Sequence, residues 1–102
     1  MNTRLFSPRA YRDLREASLW LARSNPALAH ALVAEAERAA KRLAERPMIA
    51  RWRPELLPEP FRFWALRGFP YLLVCDVWAS PPRILLVLHA SRDLPPVLAE
   101  FP

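Results

Sequence analysis

Twelve of the 102 residues are proline, and where they stand limits the chain to few folds. Proline has a fixed φ and no N–H, so it suits the first turn of a helix and breaks one further in. Ser7-Pro8 and Asn25-Pro26 each place a side-chain acceptor just ahead of a proline, the pattern that opens a helix, and Arg46-Pro47 closes the second one. After Pro8, Tyr11, Leu14, Ala17 or Ser18 and Leu21 recur at three and four residues, which predicts an amphipathic helix ending near Ser24. After Pro26 the apolar stripe is Leu28, Leu32, Val33, Ala36, Ala40 and Leu43, and the wet face carries Glu35, Glu37, Arg38, Lys41, Arg42 and Glu45. With almost no loop between them, the two helices must fold back as an antiparallel pair from about residue 8 to 46.

Pro54, Pro58 and Pro60 then forbid helix interior and central strand, so Met48 to Pro60 is expected as an extended basic connector. Phe61 to Leu66, Pro70 to Trp78 and Arg83 to Ala90 are rich in aromatic and branched residues, with turn signals at Arg67-Gly68 and Ala79-Ser80-Pro81-Pro82. These predict a three-stranded antiparallel meander. Residues 1–6 read as a short strand, and Asp93 to Pro102 as a helical turn or a segment laid along the sheet. The expected fold is therefore α+β: a short N-terminal strand and a helix hairpin packed on a meander, in one domain spanning 1–102. Because YLLVC and ILLVL are apolar on both faces, one sheet face should meet the helices and the other should stay uncovered.

One cysteine, Cys75, allows no internal disulfide, and with two histidines it cannot build a four-ligand zinc site. Cys75 itself reads as a buried small hydrophobe. The N-terminus lacks the pattern of a secretory leader and no apolar run is long enough to span a membrane, so a cytoplasmic chain with no membrane contact is expected. Net charge is +5 with a pI of about 10.6, carried by fourteen Arg and Lys41. A field of that sign implies an acidic or nucleic-acid-associated partner, without saying which.

In this order, four stretches carry a resemblance to a known family: SPRAYRDLREASLWLARSNPALAHAL, RWRPELLPEPFRFWAL, FPYLLVCDV and RILLVLHASRDLPPVL. The chain resembles the RelE/ParE superfamily of small toxins from bacterial type II toxin-antitoxin systems over essentially its whole length. It is closer to the ParE branch, through the PEL-to-FR stretch and the HASRDL ending. The resemblance implies a growth-arresting toxin held inactive by a cognate antitoxin in a hetero-oligomer.

Two chemistries follow from the two branches. RelE-like toxins cleave messenger RNA on the ribosome, which requires an acid and a base for the 2′-hydroxyl attack and cations for the phosphate. Here His89 is the acid/base candidate, and Arg51, Arg53, Arg62, Arg67 and Arg92 are candidate phosphate clamps. Lysines and a late tyrosine that often complete such sites are missing, and Arg92 beside Asp93 reads as a pair tying the C-terminal turn to the sheet. ParE-like toxins poison DNA gyrase and need a complementary surface, with no cofactor and no metal. The preferred expectation is this second chemistry, with Arg51, Trp52, Arg53, Arg62, Arg67, His89 and Arg92 contacting target or antitoxin. Message cleavage, or a degenerate toxin that keeps only antitoxin binding, are the alternatives. Trp20, Trp52, Trp64 and Trp78 are candidates for base stacking or, more simply, for core and interface anchors. The antitoxin segment is expected to be acidic and amphipathic, laid in a groove or added to a sheet edge.

Overall fold

The computed structural model describes residues 4–99 and 101. Helix α1 runs Pro8–Ala22 and α2 runs Pro26–Glu45, followed by a short 3-10 turn at Pro47–Ile49. Strands β1 (Phe61–Ala65), β2 (Tyr71–Asp76) and β3 (Arg83–His89) form an antiparallel sheet in the order β1-β2-β3, and α3 (Leu94–Leu98) ends the fold. The proline signals hold. Ser7 Oγ accepts from the Ala10 N–H at 3.0 Å and Asn25 Oδ1 from the Leu28 N–H at 3.1 Å, each just ahead of its helix-opening proline. Gly68, the only glycine, takes a φ of 81° in the β1–β2 turn, a left-handed conformation that a side chain would strain. No helix among the described residues is long and apolar enough to cross a membrane.

The helix hairpin covers one face of the sheet, where Leu14, Leu32, Ala36, Ala40 and Leu43 meet Leu66, Leu73, Cys75, Ile84 and Val87. Strict alternation would send Ile84, Leu86 and Leu88 to one side. Instead the register jumps from Val74↔Leu86 to Cys75↔Ile84, leaving Leu85 as a bulge. Ile84 therefore faces the helices while Leu86 and Leu88 face away, which is why ILLVL reads as apolar on both sides. Two α1-side groups bond the bulged backbone: Ser7 Oγ donates to the Leu85 carbonyl at 3.1 Å, and Asp13 Oδ2 accepts from the Val87 N–H at 3.1 Å.

The expectation of a bare second face is overturned. Phe63, Val74, Leu86 and Leu88 pack there against Leu57 of the connector and against Leu94 and Leu98 of α3. Phe101 adds an edge-on contact to Phe61, with ring centroids 5.2 Å apart. Proline density had argued for a purely extended connector, but its turns bring Leu57 inward, and the short tail is enough to roof the remaining apolar surface. Residues 1–6 also differ from a full strand. Within the described part, Leu5 and Ser7 bracket Ile84 through one parallel bridge at Phe6, with bonds of 2.7 and 2.8 Å, and residues 1–3 lie outside the described residues. That bridge still covers the outer edge of β3. On the helices, Tyr11 and Leu28 of the predicted stripes are exposed, while Ala10 is buried.

Burial pushes the Cys75 thiol up to about 12, so it stays protonated and unreactive at neutral pH. Desolvation likewise raises the Asp13 carboxyl above its ordinary 3.8, against the lowering effect of its bond from Val87. A raised acid in the folded state contributes stability at low pH that is lost as pH climbs from 3.8 through the raised value. Asp13→Asn keeps an acceptor without the charge. Urea titrations should show the wild type losing stability relative to this variant as pH rises across that window, and parallel curves would contradict the assignment. For the second face, Leu98→Ala should cost about 2–5 kcal/mol in denaturant unfolding. A cost under about 1 kcal/mol would mean that the tail does not seal the sheet.

Candidate functional site

The edge strand β1 carries the most distinctive surface. On its outer side Arg51 exchanges two backbone bonds with Phe63 at 2.7 and 2.8 Å, and the Phe61 N–H donates to the Pro58 carbonyl at 3.1 Å. Trp64, half-buried near the end of β1, lines two cavities. Toward α2 lies one of about 150 Å³ lined by Glu35, Arg38, Ala39, Arg42 and Arg67. Toward the connector lies one of about 350 Å³ lined by Ile49, Arg51, Arg53, Phe63, Ala65 and Leu72.

Glu35 organises the first cavity. The alternation of charges on α2 suggested that it lies on the wet face, yet only 7% of it is exposed. One carboxylate oxygen pairs with Arg38 and the other accepts from the Arg67 N–H at 3.1 Å, so a buried charge is matched by a cation and an amide. The β1–β2 turn is thereby fastened to α2. Arg42, one turn beyond Arg38, holds its guanidinium over the Trp64 ring at 5.9 Å.

The residues singled out in the sequence are only partly gathered. Arg51 and Arg53 stand side by side along the β1 edge, Trp52 beside them is half exposed, and Arg67 reaches the cavity on the other side of Trp64. Arg53 bonds Glu55 at 3.0 Å and lies over Phe63. Arg62 is committed differently: its guanidinium grips both oxygens of Glu59, which raises its already high pKa, and reaches the Ala50 carbonyl at 3.3 Å. That pattern clamps the connector to β1. His89, at the end of β3, stacks edge-on against Tyr71 with centroids 5.1 Å apart, and its Nδ1 accepts from the Ser91 N–H at 3.1 Å. Arg92 is exposed; its N–H reaches the His89 carbonyl, but among the described residues it makes no ion pair with Asp93. The turn is held by the Arg92 N–H on the His89 carbonyl and by the His89–Ser91 contact, in place of the expected Arg92–Asp93 pair. Of the tryptophans only Trp64 is packed into the fold, while Trp20, Trp52 and Trp78 are exposed.

Glu35, Arg38, Arg42 and Trp64 were not read as one site. A signal was present: Glu35 lies three residues after Leu32 and four before Ala39, at the border of the α2 stripe, and Arg38 and Arg42 share a face four apart. What periodicity lacks is the partner that comes from the β1–β2 turn. As chemistry, the surface offers guanidinium groups around an indole beside an edge strand, suited to binding anionic or extended partners.

Comparison with known proteins agrees with this architecture. The family model described as "ParE toxin of type II toxin-antitoxin system, parDE" matches residues 5–94. A solved structure, "Chromosomal ParDE TA system from P. aeruginosa", is similar at a TM-score of 0.71 and 18% identity, over 84% of this chain and 92% of that one. At that identity it bears on the fold alone. No curated protein matches the sequence. The chain belongs to the ParE toxin family of type II toxin-antitoxin systems, a membership that implies an antitoxin partner.

Replacing Glu35 by Ala frees Arg38 and leaves the Arg67 amide unpaired, and should cost about 1–3 kcal/mol by denaturant unfolding. Glu45→Ala, on the exposed end of α2, should stay within about 0.5 kcal/mol. Equal effects would mean that the buried carboxylate ties nothing together.

Proposed function

We propose that the chain arrests growth by poisoning DNA gyrase and is neutralised by an acidic, amphipathic antitoxin segment. Family membership supplies the class, and one structural observation favours a binding poison over a nuclease. The imidazole of His89 contacts Tyr71 and Ser91, and among the described residues it is paired with no carboxylate, lysine or arginine side chain; Arg53 and Arg62 are engaged with Glu55 and Glu59. Cleavage through a 2′-hydroxyl needs acid, base and cation around one phosphate. A poison needs a fixed complementary surface, and the Trp64 band with Arg51, Trp52, Arg53 and Arg67 supplies one. A gyrase target places the chain in the cytoplasm.

Two places suit the antitoxin. One is the groove at the tip of the helix hairpin, about 380 Å³, where Leu19, Ala22, Ala29 and Val33 present apolar walls and the neighbouring Trp20 is 64% exposed. The other is the outer edge of β1 beyond Arg51, where a strand could add. The cationic band next to that edge favours an acidic segment.

Purified protein added to a gyrase supercoiling reaction should inhibit it or leave linear plasmid, and message in a translating-ribosome assay should remain intact. His89→Ala should retain both behaviours. Ribosome-dependent cleavage abolished by His89→Ala would replace this reading with the nuclease, and no growth arrest on induction would leave only antitoxin binding.

A further inference from the structure

The cavity between α2 and the β1–β2 turn gathers exposed arginines from two elements around one buried carboxylate. It is a bounded space of about 150 Å³ carrying three arginines, Arg38, Arg42 and Arg67, and a single carboxylate, Glu35. The lining is thus two positive charges in excess. Both oxygens of the carboxylate are engaged: one holds Arg38 and the other holds the Arg67 amide. Arg42 and Arg67 have no ion pair among the described residues, and Arg42 is held in place over Trp64. Glu35 therefore fixes the frame of the pocket without neutralising it. A tetrahedral dianion or a phosphodiester fits such a set, since guanidinium groups from two elements can each fork onto its oxygens. A bare carboxylate of an acidic peptide would use fewer of those donors.

We propose that this cavity is a phosphate-binding site that takes one backbone phosphate of a nucleic acid, a contact made by the toxin itself. The site uses Arg42 and Arg67 as ligands and Arg38 with Glu35 as positioning residues. It lies apart from His89 and its Ser91 contact, and it stands whether the cellular target is gyrase or message, because the interaction is with the phosphate and not with the target protein.

The test measures binding of a fluorescein-labelled 20-nucleotide single strand and of a labelled duplex of the same length by anisotropy, with no gyrase or ribosome present. The double variant Arg42→Gln/Arg67→Gln is compared with Arg9→Gln/Arg12→Gln, which removes the same charge from the exposed face of α1. The site predicts a loss of about tenfold or more in the first pair, a salt slope lower by about 0.7 to 0.9 for the lost phosphate contact, and less than about twofold change in the second. Inorganic phosphate should compete with the oligonucleotide for the wild type and fail to do so for the first variant. Circular dichroism and thermal melting confirm that both variants are folded. Equal losses in the two pairs would reduce the effect to overall charge and overturn the proposal. So would phosphate binding without oligonucleotide binding, which marks a small-anion site. Poly-glutamate bound through Arg42 and Arg67 while the oligonucleotide is not would give the cavity to an acidic peptide and overturn it as well.

Discussion

The fold turns on how α1 attaches to the bulge in β3. A bulge leaves backbone groups out of the ladder, and such groups are costly when buried unless something bonds them. Ser7 and Asp13 do so from the helix side, the first to the Leu85 carbonyl and the second from the Val87 amide. Ser7 also caps α1 through the Ala10 amide, so one hydroxyl sets both where the helix begins and where it sits on the sheet. The bulge in turn decides which side chains face which way. Ile84 and Val87 go under the hairpin, and Leu86 and Leu88 go to the opposite face.

That division explains why so short a chain has two apolar clusters. The hairpin roofs one, and Leu57, Leu94 and Leu98 roof the other. With both faces sheltered by the chain itself, the surfaces proposed for a partner are the hairpin groove and the rim of β1. Along that rim Trp64 fixes the spacing between the guanidinium groups of Arg42 and Arg67 on one side and of Arg51 and Arg53 on the other. The surface proposed for binding is thus an edge, with charges that secondary structure holds in place, and not an uncovered core face.

Most of the architecture was legible in the residues. Pro8, Pro26 and Pro47 mark the helix limits within two residues, and the three branched, aromatic runs became the strands. Three things were not legible, each for a physical reason. Alternation carries no mark of a one-residue bulge, so the facing of Leu86 could not be read from ILLVL. The roof over the second face is made by residues far apart in sequence, Leu57 and Leu98, whose meeting depends on turns in a proline-rich connector. Glu35 looked solvated because its partners come from Arg38 on the same helix and from Arg67, thirty-two residues on. The candidate site was half visible: Arg51, Arg53 and Arg67 do border Trp64, while Arg62 holds the connector and Arg92 stands apart with His89 at the end of β3.

The chain seals its own sheet, and the β1 rim and the hairpin groove are the surfaces proposed for partners. Hydrogen–deuterium exchange on the free chain, and on its complex with the cognate antitoxin that family membership implies, reads this out. Amides of β2 and β3 around Val74 and Leu86 should be strongly protected in the free chain, with new protection on binding confined to Ala65, the Arg51 to Arg53 segment and the hairpin tip. Fast exchange at Val74 and Leu86 that slows only in the complex would contradict it.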